Sequence, residues 1–285
     1  MAIAVVAALA GAFFNGLAAV LQQGATKRLE TTQSVPPRQF IRLIVQPRWL
    51  AGQSSDALAF VLQAVALGFG ALIFVEPLMV MSLPFSVLLR AWTTRQRPGR
   101  RALLGSGLCV VGLSIFLLVA QPRAGRSTFT IAEAVLLAIA VAVILAVCLA
   151  IAAKTRDNGR AVAFAAAAAA VFGVTAALTK VVTTQLQQGI FEPLQHWPIY
   201  AAALTGVTGV LLTQNALRPG ALAAPVAVIT VGDPLASIAL GLLWLNESVN
   251  SGAWAIAAEV LTLAVMVLGV TVLARESSSV AAPSG

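Results

Sequence analysis

Residues 220–247 read GALAAPVAVITVGDPLASIALGLLWLNE, and this stretch decides the fold. It is apolar over a length that can cross a bilayer, since about 20 residues of helix span ~30 Å of hydrocarbon. Near its middle lie Gly232, Asp233 and Pro234. A carboxylate at the centre of a membrane helix costs at least ~2.5 kcal/mol, and proline lacks the N–H that would complete the helical hydrogen bonds. Together they predict a locally opened helix beside a polar cavity, whereas the alternative is a structural kink with a paired aspartate.

The composition of the whole chain indicates an integral membrane protein. Of the 285 residues, 59% are hydrophobic and 10% are charged, whereas an average soluble domain has roughly 25% charged residues. The net charge of +8 would favour a nucleic-acid partner in a soluble protein. In this chain we instead expect membrane lipid as a partner and no nucleic acid. The two cysteines, Cys109 and Cys148, lie inside apolar runs, which argues against a disulfide framework or a metal-ligand spacing.

Apolar runs along the chain predict an all-α membrane protein with about nine transmembrane helices. The first run begins at about Ile3 with no Lys or Arg before it, so we expect a retained span and not a cleaved signal peptide. The linker 23–49 mixes basic and apolar residues, which predicts a short interfacial piece, and the Ser- and Ala-rich tail 276–285 predicts disorder. The predicted spans cover residues 3–22, 50–69, 71–90, 102–121, 130–153, 160–185, 197–216, 220–244 and 252–274.

The basic residues predict which end of each span faces the cytoplasm. If the N-terminus lies outside and the C-terminus in the cytoplasm, 15 of the 18 Lys and Arg residues fall in cytoplasmic linkers, in the cytoplasmic tail or at the cytoplasmic ends of spans. Only Arg123 and Arg126 then lie outside, and Lys180 lies within a span. This bias satisfies the positive-inside rule, so we expect a multi-pass protein of the cell (inner) membrane in this orientation.

Two pairs of similar segments suggest an internal repeat. GLAAVLQQGATKRL at 16–29 resembles GVTAALTKVVTTQL at 173–186 with an offset of 157 residues. ALGFGAL at 66–72 resembles ALRPGAL at 216–222 with an offset of 150 residues. The alternative is chance similarity between stretches that are rich in small residues.

The offset of 150 residues places Pro84 on Pro234, so we expect a helix break at each proline, with Gly232 part of the second break. Equivalent spans are five apart, an odd number, and the second copy is therefore inverted in the membrane. The linker after the first span holds five basic residues, and the third span ends with Arg90 and is followed by four more, whereas the equivalent linkers after the sixth and eighth spans hold none. We therefore predict a 4+1+4 arrangement, in which residues 1–153 hold the N-terminal repeat and the fifth helix, and residues 154–275 hold the inverted C-terminal repeat.

Three stretches are rich in small residues, the second and third also contain prolines, and the third has an acid near its end: GLAAVLQQGATKR, ALGFGALIFVEPLMVMSLPFSVLL and ALRPGALAAPVAVITVGDPLASIALGLLWLNES. With the inverted halves, they resemble the drug/metabolite transporter superfamily (EamA-like), and within it the nine-helix, NIPA-like magnesium-transporter branch. The resemblance implies a transport path lined by the first, third, sixth and eighth spans. Glu247 matches the acid of the family's Gly-Glu ending after the eighth span, with Asn246 in place of the usual glycine. The segment TTRQRP, which follows the third span at the equivalent place in the first half, has no acidic residue.

Polar residues inside the spans are the candidate site. Asp233 is predicted nearest the midplane, and Asp233 and Glu76 are the first candidates for binding a cation or a proton. Asn15, Lys180 and Glu259 are second candidates. The sequence assigns no particular metal ion. If the chain carries a cation, the Asp233 and Glu76 carboxylates supply the oxygen ligands that a hard ion prefers. The alternatives are a hydrogen bond between helices for Asn15 and an interfacial position for Lys180.

The sequence argues against an enzyme. The single histidine, His196, lies in a short loop, and no P-loop pattern GxxxxGK(S/T) is present, so we expect neither a catalytic site nor a cofactor. We predict a secondary transporter that moves a small-molecule or cation substrate by alternating access. The alternatives are a NIPA-like transporter of magnesium or another divalent cation, and a non-transporting membrane scaffold subunit. The scaffold would be packed solid between the first, third, sixth and eighth spans. A homodimer is an alternative to a monomer.

Overall fold

The architecture is described from a computed structural model, which defines residues 1–26, 46–126, 128–217, 223–250 and 252–281. Within these ranges the chain forms ten α-helices and one short 3₁₀-helix. The helices are α1 (Ala2–Thr26), α2 (Pro47–Phe69), α3 (Leu72–Met79), α4 (Ser82–Thr94), α5 (Arg100–Ala120), α6 (Ile131–Lys154), α7 (Asp157–Gln188), α8 (Trp197–Ala216), α9 (Ala223–Leu243) and α10 (Ala253–Ala281), with the 3₁₀-helix at Glu192–Gln195.

Eight helical segments of the described residues are long and apolar enough to span a membrane, which confirms the predicted all-α membrane protein. α3 and α4 together form one of these segments, Leu72–Thr94. α8 is 20 residues long, which corresponds to ~30 Å at 1.5 Å per residue. It is not among the eight, since Pro198, Gln214 and Asn215 lower the hydropathy of its ends. Each predicted span therefore coincides with a helical segment, and α8 is the one that falls short in hydropathy.

The ends of several helices follow from local sequence. α6 begins with a capping box, in which the Thr130 hydroxyl accepts the Glu133 N–H and the Glu133 carboxylate accepts the Thr130 N–H. α4 and α5 end where Arg95 and Gln121 adopt left-handed backbone, with φ of 54° and 41°. Pro198 lies in the first turn of α8, where an N–H has no helical partner in any case.

α7 is the central helix of the fold. It packs against α2, α6, α8 and α9, and its run of small residues at 161–177 lets these helices approach closely. A Cβ added to Gly173 would lie 2.7 Å from the Cβ of Ala236 in α9. In α8, a Cβ added to Gly209 would lie 2.6 Å from the ring of Phe172. Close contact of helix backbones thus fixes the position of α9 beside α7.

Glycines also join the N-terminal and C-terminal parts of the chain. α5 packs lengthwise on α10. A Cβ on Gly105 would lie 2.9 Å from Leu273 and 3.0 Å from the carbonyl oxygen of Gly269, and a Cβ on Gly112 would lie 2.9 Å from the carbonyl oxygen of Thr262. Such small-residue contacts are typical of helices that associate inside a membrane.

The two predicted helix breaks have different outcomes. The third span is interrupted at Val80 and Met81, whose N–H groups donate to carbonyls three residues earlier, at 3.2 and 3.1 Å. Pro84 follows in the first turn of α4. α9, in contrast, continues as α-helix through Gly232 and Pro234, so the expectation of an opened helix there is wrong. A Cβ on Gly232 would lie 2.7 Å from the Cβ of Ala169, and this glycine therefore serves close packing.

The C-terminal tail differs from expectation in part, and the first linker lies mostly outside the described residues. α10 continues to Ala281, so residues 276–281 are helical where the sequence predicts disorder, and 282–285 lie outside the described residues. The predicted interfacial piece in the linker 23–49 falls mostly on 27–45, which also lie outside the described residues.

Candidate functional site

A layer of buried charged side chains lies where α2, α3, α7 and α9 meet. Lys180 of α7 and Glu247, which follows α9, form an ion pair whose side chains are 5% and 0% exposed. Glu76 of α3 is 1% exposed. Charged groups at such depth in a membrane protein are rare and are commonly paired or functional.

Glu247 joins Lys180 to the start of α3. Its Oε1 accepts a hydrogen bond from the Leu72 N–H at 2.7 Å, and its Oε2 accepts one from the Ile73 N–H at 2.9 Å. Ala71, which precedes α3, has no side chain that could cap the helix. The first N–H groups of a helix lack internal partners and carry a partial positive charge, so Glu247 satisfies them and neutralises the helix end.

The local backbone explains how Glu247 reaches this position. Asn246 has φ 49°, a left-handed conformation that glycine and asparagine adopt more readily than other residues. This conformation accounts for an asparagine directly before Glu247. The Glu247 N–H donates to the Gly241 carbonyl at 2.9 Å. A Cβ on Gly241 would lie 2.8 Å from Glu247 Oε2, so the glycine leaves room for the carboxylate.

A second loop holds this turn from the other side. Arg123 and Ser248 exchange backbone hydrogen bonds of 2.8 and 3.3 Å, an isolated antiparallel bridge. The Arg126 N–H donates to the Leu245 carbonyl at 2.8 Å, and the Arg126 side chain donates to the Trp244 carbonyl at 3.2 Å. Residues 121–126, from the connection between α5 and α6, thus fix the turn that carries Glu247.

The Arg126 side chain also forms an ion pair with Glu133. Gly125 lies directly against the turn that carries Glu247. A Cβ on Gly125 would lie 2.1 Å from the Leu245 carbonyl oxygen, a distance that no real side chain tolerates. The contact therefore requires glycine at this position.

Among the described residues, Glu76 has one hydrogen-bond partner. Its Oε1 accepts a hydrogen bond from Gln63 Nε2 of α2 at 2.7 Å. Gln63 is half-buried and Glu76 is almost fully enclosed. One amide donor satisfies only part of a carboxylate that can accept up to about four hydrogen bonds.

Asp233 approaches Glu76 from α9. α9 packs against α3, and the Asp233 and Glu76 carboxylates are near enough to interact electrostatically. Asp233 Oδ1 is buried without a hydrogen-bond partner among the described residues, and so is Oγ of Ser237, one turn later on α9. Two carboxylates in one enclosed region cannot both stay charged at low cost, so a proton or a cation between them would relieve the repulsion.

The structure divides the five sequence-predicted site residues. It brings Glu76 and Asp233 together and pairs Lys180 with Glu247. Asn15 lies exposed on α1. Glu259 of α10 has a buried Oε1 with no partner among the described residues, and no bond joins it there to the other four. Within the described part of the chain, no group of three or more His, Cys, Asp or Glu side chains could hold a metal ion.

Three residues of the site have only weak signals in the sequence. Glu247 follows its span, a place typical of interfacial acids, and the resemblance to the Gly-Glu ending is the only sign of its role. Gln63 is a lone amide in an apolar run. Ser237 has no distinguishing signal apart from its position four residues after Asp233, on the same helix face.

A relative from Corynebacterium glutamicum, described as an uncharacterized protein, is 28% identical to this chain over 277 residues, which cover 97% of this chain and 96% of the relative. The similarity therefore extends over nearly the whole chain and is not limited to one of its halves. No protein-family model and no solved structure matches the chain.

Proposed function

We propose that the chain is a secondary transporter of the drug/metabolite transporter type, which moves a small solute or cation by alternating access. The observation that carries the proposal is that Glu76, which is buried, and Asp233, whose Oδ1 is buried, lie on the packed helices α3 and α9 within range of each other's charge. Buried carboxylates that share a region but lack sufficient donors are suited to take up and release a cation or proton.

The free-energy cost of burying a carboxylate favours a transport role over a packing role for Glu76 and Asp233. Each buried carboxylate raises the cost of folding in the membrane by a few kcal/mol. A packing role would favour pairing with Lys or Arg, as Lys180 does for Glu247. Glu76 receives only the Gln63 amide, and Asp233 Oδ1 receives no hydrogen bond from the described residues.

The proposed alternating access is supported by matching contacts in the two halves. A Cβ on Gly16 of α1 would lie 3.0 Å from the Ser86 N atom, and a Cβ on Gly173 of α7 would lie 3.0 Å from the Ser237 N atom. The offset of 157 residues relates the two glycines, and Ser86 and Ser237 are 151 residues apart, one more than the repeat offset of 150. Inverted repeats with equivalent contacts are the usual basis of alternating access.

The Lys180–Glu247 pair closes one end of the proposed path. It ties α7 to the turn after α9, and the hydrogen bonds to Leu72 and Ile73 tie both to the start of α3. Access from this end therefore requires that the pair separate, at a cost that substrate or ion binding would have to offset.

Two alternatives differ in what the acids do. A magnesium carrier is compatible with two carboxylates, because Mg²⁺ keeps several waters and takes few protein ligands. A scaffold subunit would use them only in packing. A cavity of ≈ 290 Å³ lies against α1 and α4, but α5 and α10 supply its other helical walls, so it lies beside the proposed path and does not decide between transporter and scaffold.

Transport assays in cells that lack their own magnesium carriers test the proposal, with magnesium and a panel of organic cations as substrates. Asp233→Asn keeps the side-chain volume and removes the charge. We expect it to reach the membrane at the parental level and to lose substrate-dependent or pH-dependent transport by tenfold or more, equivalent to at least ~1.4 kcal/mol. Glu76→Gln should give a smaller loss.

Glu192→Gln is the matched control, because this acid lies in the 3₁₀-helix with a side chain 41% exposed. It should transport like the parent. Parental transport by Asp233→Asn at every pH would remove Asp233 from the site. Absence of transport by the parent for every cation tested would favour the scaffold.

A further inference from the structure

The ≈ 290 Å³ cavity beside the proposed path has a distinctive lining. Its polar wall consists of Ser86, Arg90 and Thr94 of α4 and of Gln96 and Arg97 from the following loop. We call this space the arginine cavity. α4 runs away from Leu72, so the arginine cavity lies at the opposite end of the third span from the Lys180–Glu247 pair.

The walls of the arginine cavity are amphipathic. Apolar side chains from α1, α4, α5 and α10 form the rest of the lining, and Leu273 and Ala102 among them are buried. Arg90 is half-buried and Arg97 is exposed. The cavity thus has an apolar side within the helix bundle and a basic side toward the loop.

The charges in the arginine cavity are not balanced by its own lining. Two lining residues are arginines, and none of the lining residues, all of which belong to the described part of the chain, is an acid. Neither arginine has an ion pair with an acid whose side chain the structure describes. A half-buried guanidinium is partly removed from water, so an anion that pairs with it would stabilise this arrangement.

The start of α5 adds hydrogen-bond donors to the same wall. Gly99 is the residue before α5, and it has no side chain to cap the helix. Gly99 and Ala102 both line the cavity. The unpaired N–H groups of a helix start favour anions, and they add to the two guanidinium groups.

We propose that the arginine cavity binds a phosphate group, with Arg90 and Arg97 as its principal ligands and the start of α5 as a further donor. Guanidinium groups match the oxygens of a phosphate with paired hydrogen bonds. The phosphate could belong to an anionic lipid headgroup or to a soluble phosphate ester. This site is independent of the proposed transport function and of Glu76 and Asp233.

The positive-inside rule alone does not account for this arrangement. Arg100 and Arg101 lie on the same segment and satisfy that rule equally well, but they are exposed and do not line the cavity. The rule requires basic residues near the membrane and sets no requirement that two of them enclose a cavity.

The test compares two double variants of the purified full chain that remove the same charge. Arg90→Gln/Arg97→Gln changes the cavity, and Arg100→Gln/Arg101→Gln is the matched control. Native mass spectrometry measures binding of phosphatidylglycerol and of phosphatidylcholine, and calorimetry measures binding of glycerol 1-phosphate. We expect the cavity variant to lose about tenfold in affinity for at least one phosphate-bearing anion, and the control to lose less than about twofold.

The two probes distinguish the source of the phosphate. Loss of phosphatidylglycerol binding alone assigns a lipid headgroup, and loss of glycerol 1-phosphate binding assigns a soluble ester. Ala91→Leu keeps both arginines and fills part of the cavity, so it should also weaken binding. Equal losses in the two double variants, or no preference of the parent for phosphatidylglycerol over phosphatidylcholine together with no glycerol 1-phosphate binding, would overturn the proposal.

Discussion

The carboxylate of Glu247 accepts a 2.7 Å hydrogen bond from the backbone N–H of Leu72, although 175 positions separate the two residues in sequence. One side chain from the C-terminal half therefore caps a helix of the N-terminal half. The same carboxylate pairs with Lys180, so it holds together the start of α3, α7 and the turn after α9.

The first prediction is that exchanging the charges of Lys180 and Glu247 does not restore the stability of the parent. Removing one partner of a buried ion pair costs about 3–5 kcal/mol, so Lys180→Met and Glu247→Gln should each lower the apparent Tm in detergent. Lys180→Glu/Glu247→Lys keeps a pair but places a cation at the start of α3, where the helix dipole opposes it. Parental Tm in the exchanged variant would mean that Glu247 does not act as a helix cap.

The second prediction concerns the left-handed backbone at Asn246. Asn246→Gly should be at least as stable as the parent, since glycine adopts a φ of 49° without steric cost. Asn246→Val should be less stable by about 1–2 kcal/mol or more, because a branched side chain is strained there. The check is the order of Tm values, and equal stability of the Gly and Val variants would contradict the assigned conformation.

The third prediction compares Gly125, in the loop after α5, with Gly107, within α5. Gly125→Ala puts a Cβ 2.1 Å from the Leu245 carbonyl oxygen, and we expect a loss of about 1–3 kcal/mol from overpacking. Gly107→Ala in α5 meets nothing within 4 Å and should leave stability unchanged or slightly raised. Thermal unfolding monitored by size-exclusion chromatography measures both, and a similar effect of the two substitutions would argue against the loop contact.

The fourth prediction is a coupling between Gln63 and Glu76. Gln63→Leu leaves the buried Glu76 carboxylate without its amide donor and should destabilise by about 1–3 kcal/mol. Glu76→Leu in the same chain removes the group that needs the donor, so the double variant should be more stable than Gln63→Leu alone. Additive effects in this double-mutant cycle would show that the 2.7 Å hydrogen bond contributes nothing.

The fifth prediction is the orientation in the membrane. In a chain whose Cys109 and Cys148 are replaced, Gln96→Cys should be protected from a membrane-impermeant thiol reagent in intact cells, and His196→Cys should be labelled. The expectation follows from the division of Lys and Arg between the two sides. Labelling at position 96 from outside would reverse the orientation.

The sequence predicts most of the fold because hydropathy reports directly on burial in lipid. It does not predict the helix at 276–281, where composition favours disorder, and it places a break at Pro234 that α9 does not contain. A proline inside a membrane helix removes one hydrogen bond, and close packing such as that of Gly232 on Ala169 keeps the rest of the helix intact.

The candidate site is predicted less completely than the fold. Glu76 and Asp233 stand out because acids are rare inside membrane spans. The partner of Lys180 does not, because Glu247 lies beyond the end of its span and meets Lys180 only through the turn at Asn246. Pairings of this kind depend on tertiary geometry, which hydropathy and spacing do not encode.

The glycine contacts between α5 and α10 have a mechanical consequence. Gly105 and Gly112 are seven residues apart, or ~10 Å along the helix, and at both points the facing helix backbone lies where a side chain would otherwise be. Two helices whose large side chains interdigitate resist rotation against each other. Two helices that meet through backbone at glycines resist separation but can rotate against each other by a small angle. Any rocking of one half of the molecule against the other would therefore turn about α5 and α10, whose adjoining ends meet beside the turn that carries Glu247, where the Asn250 N–H donates to the Ala120 carbonyl at 2.9 Å.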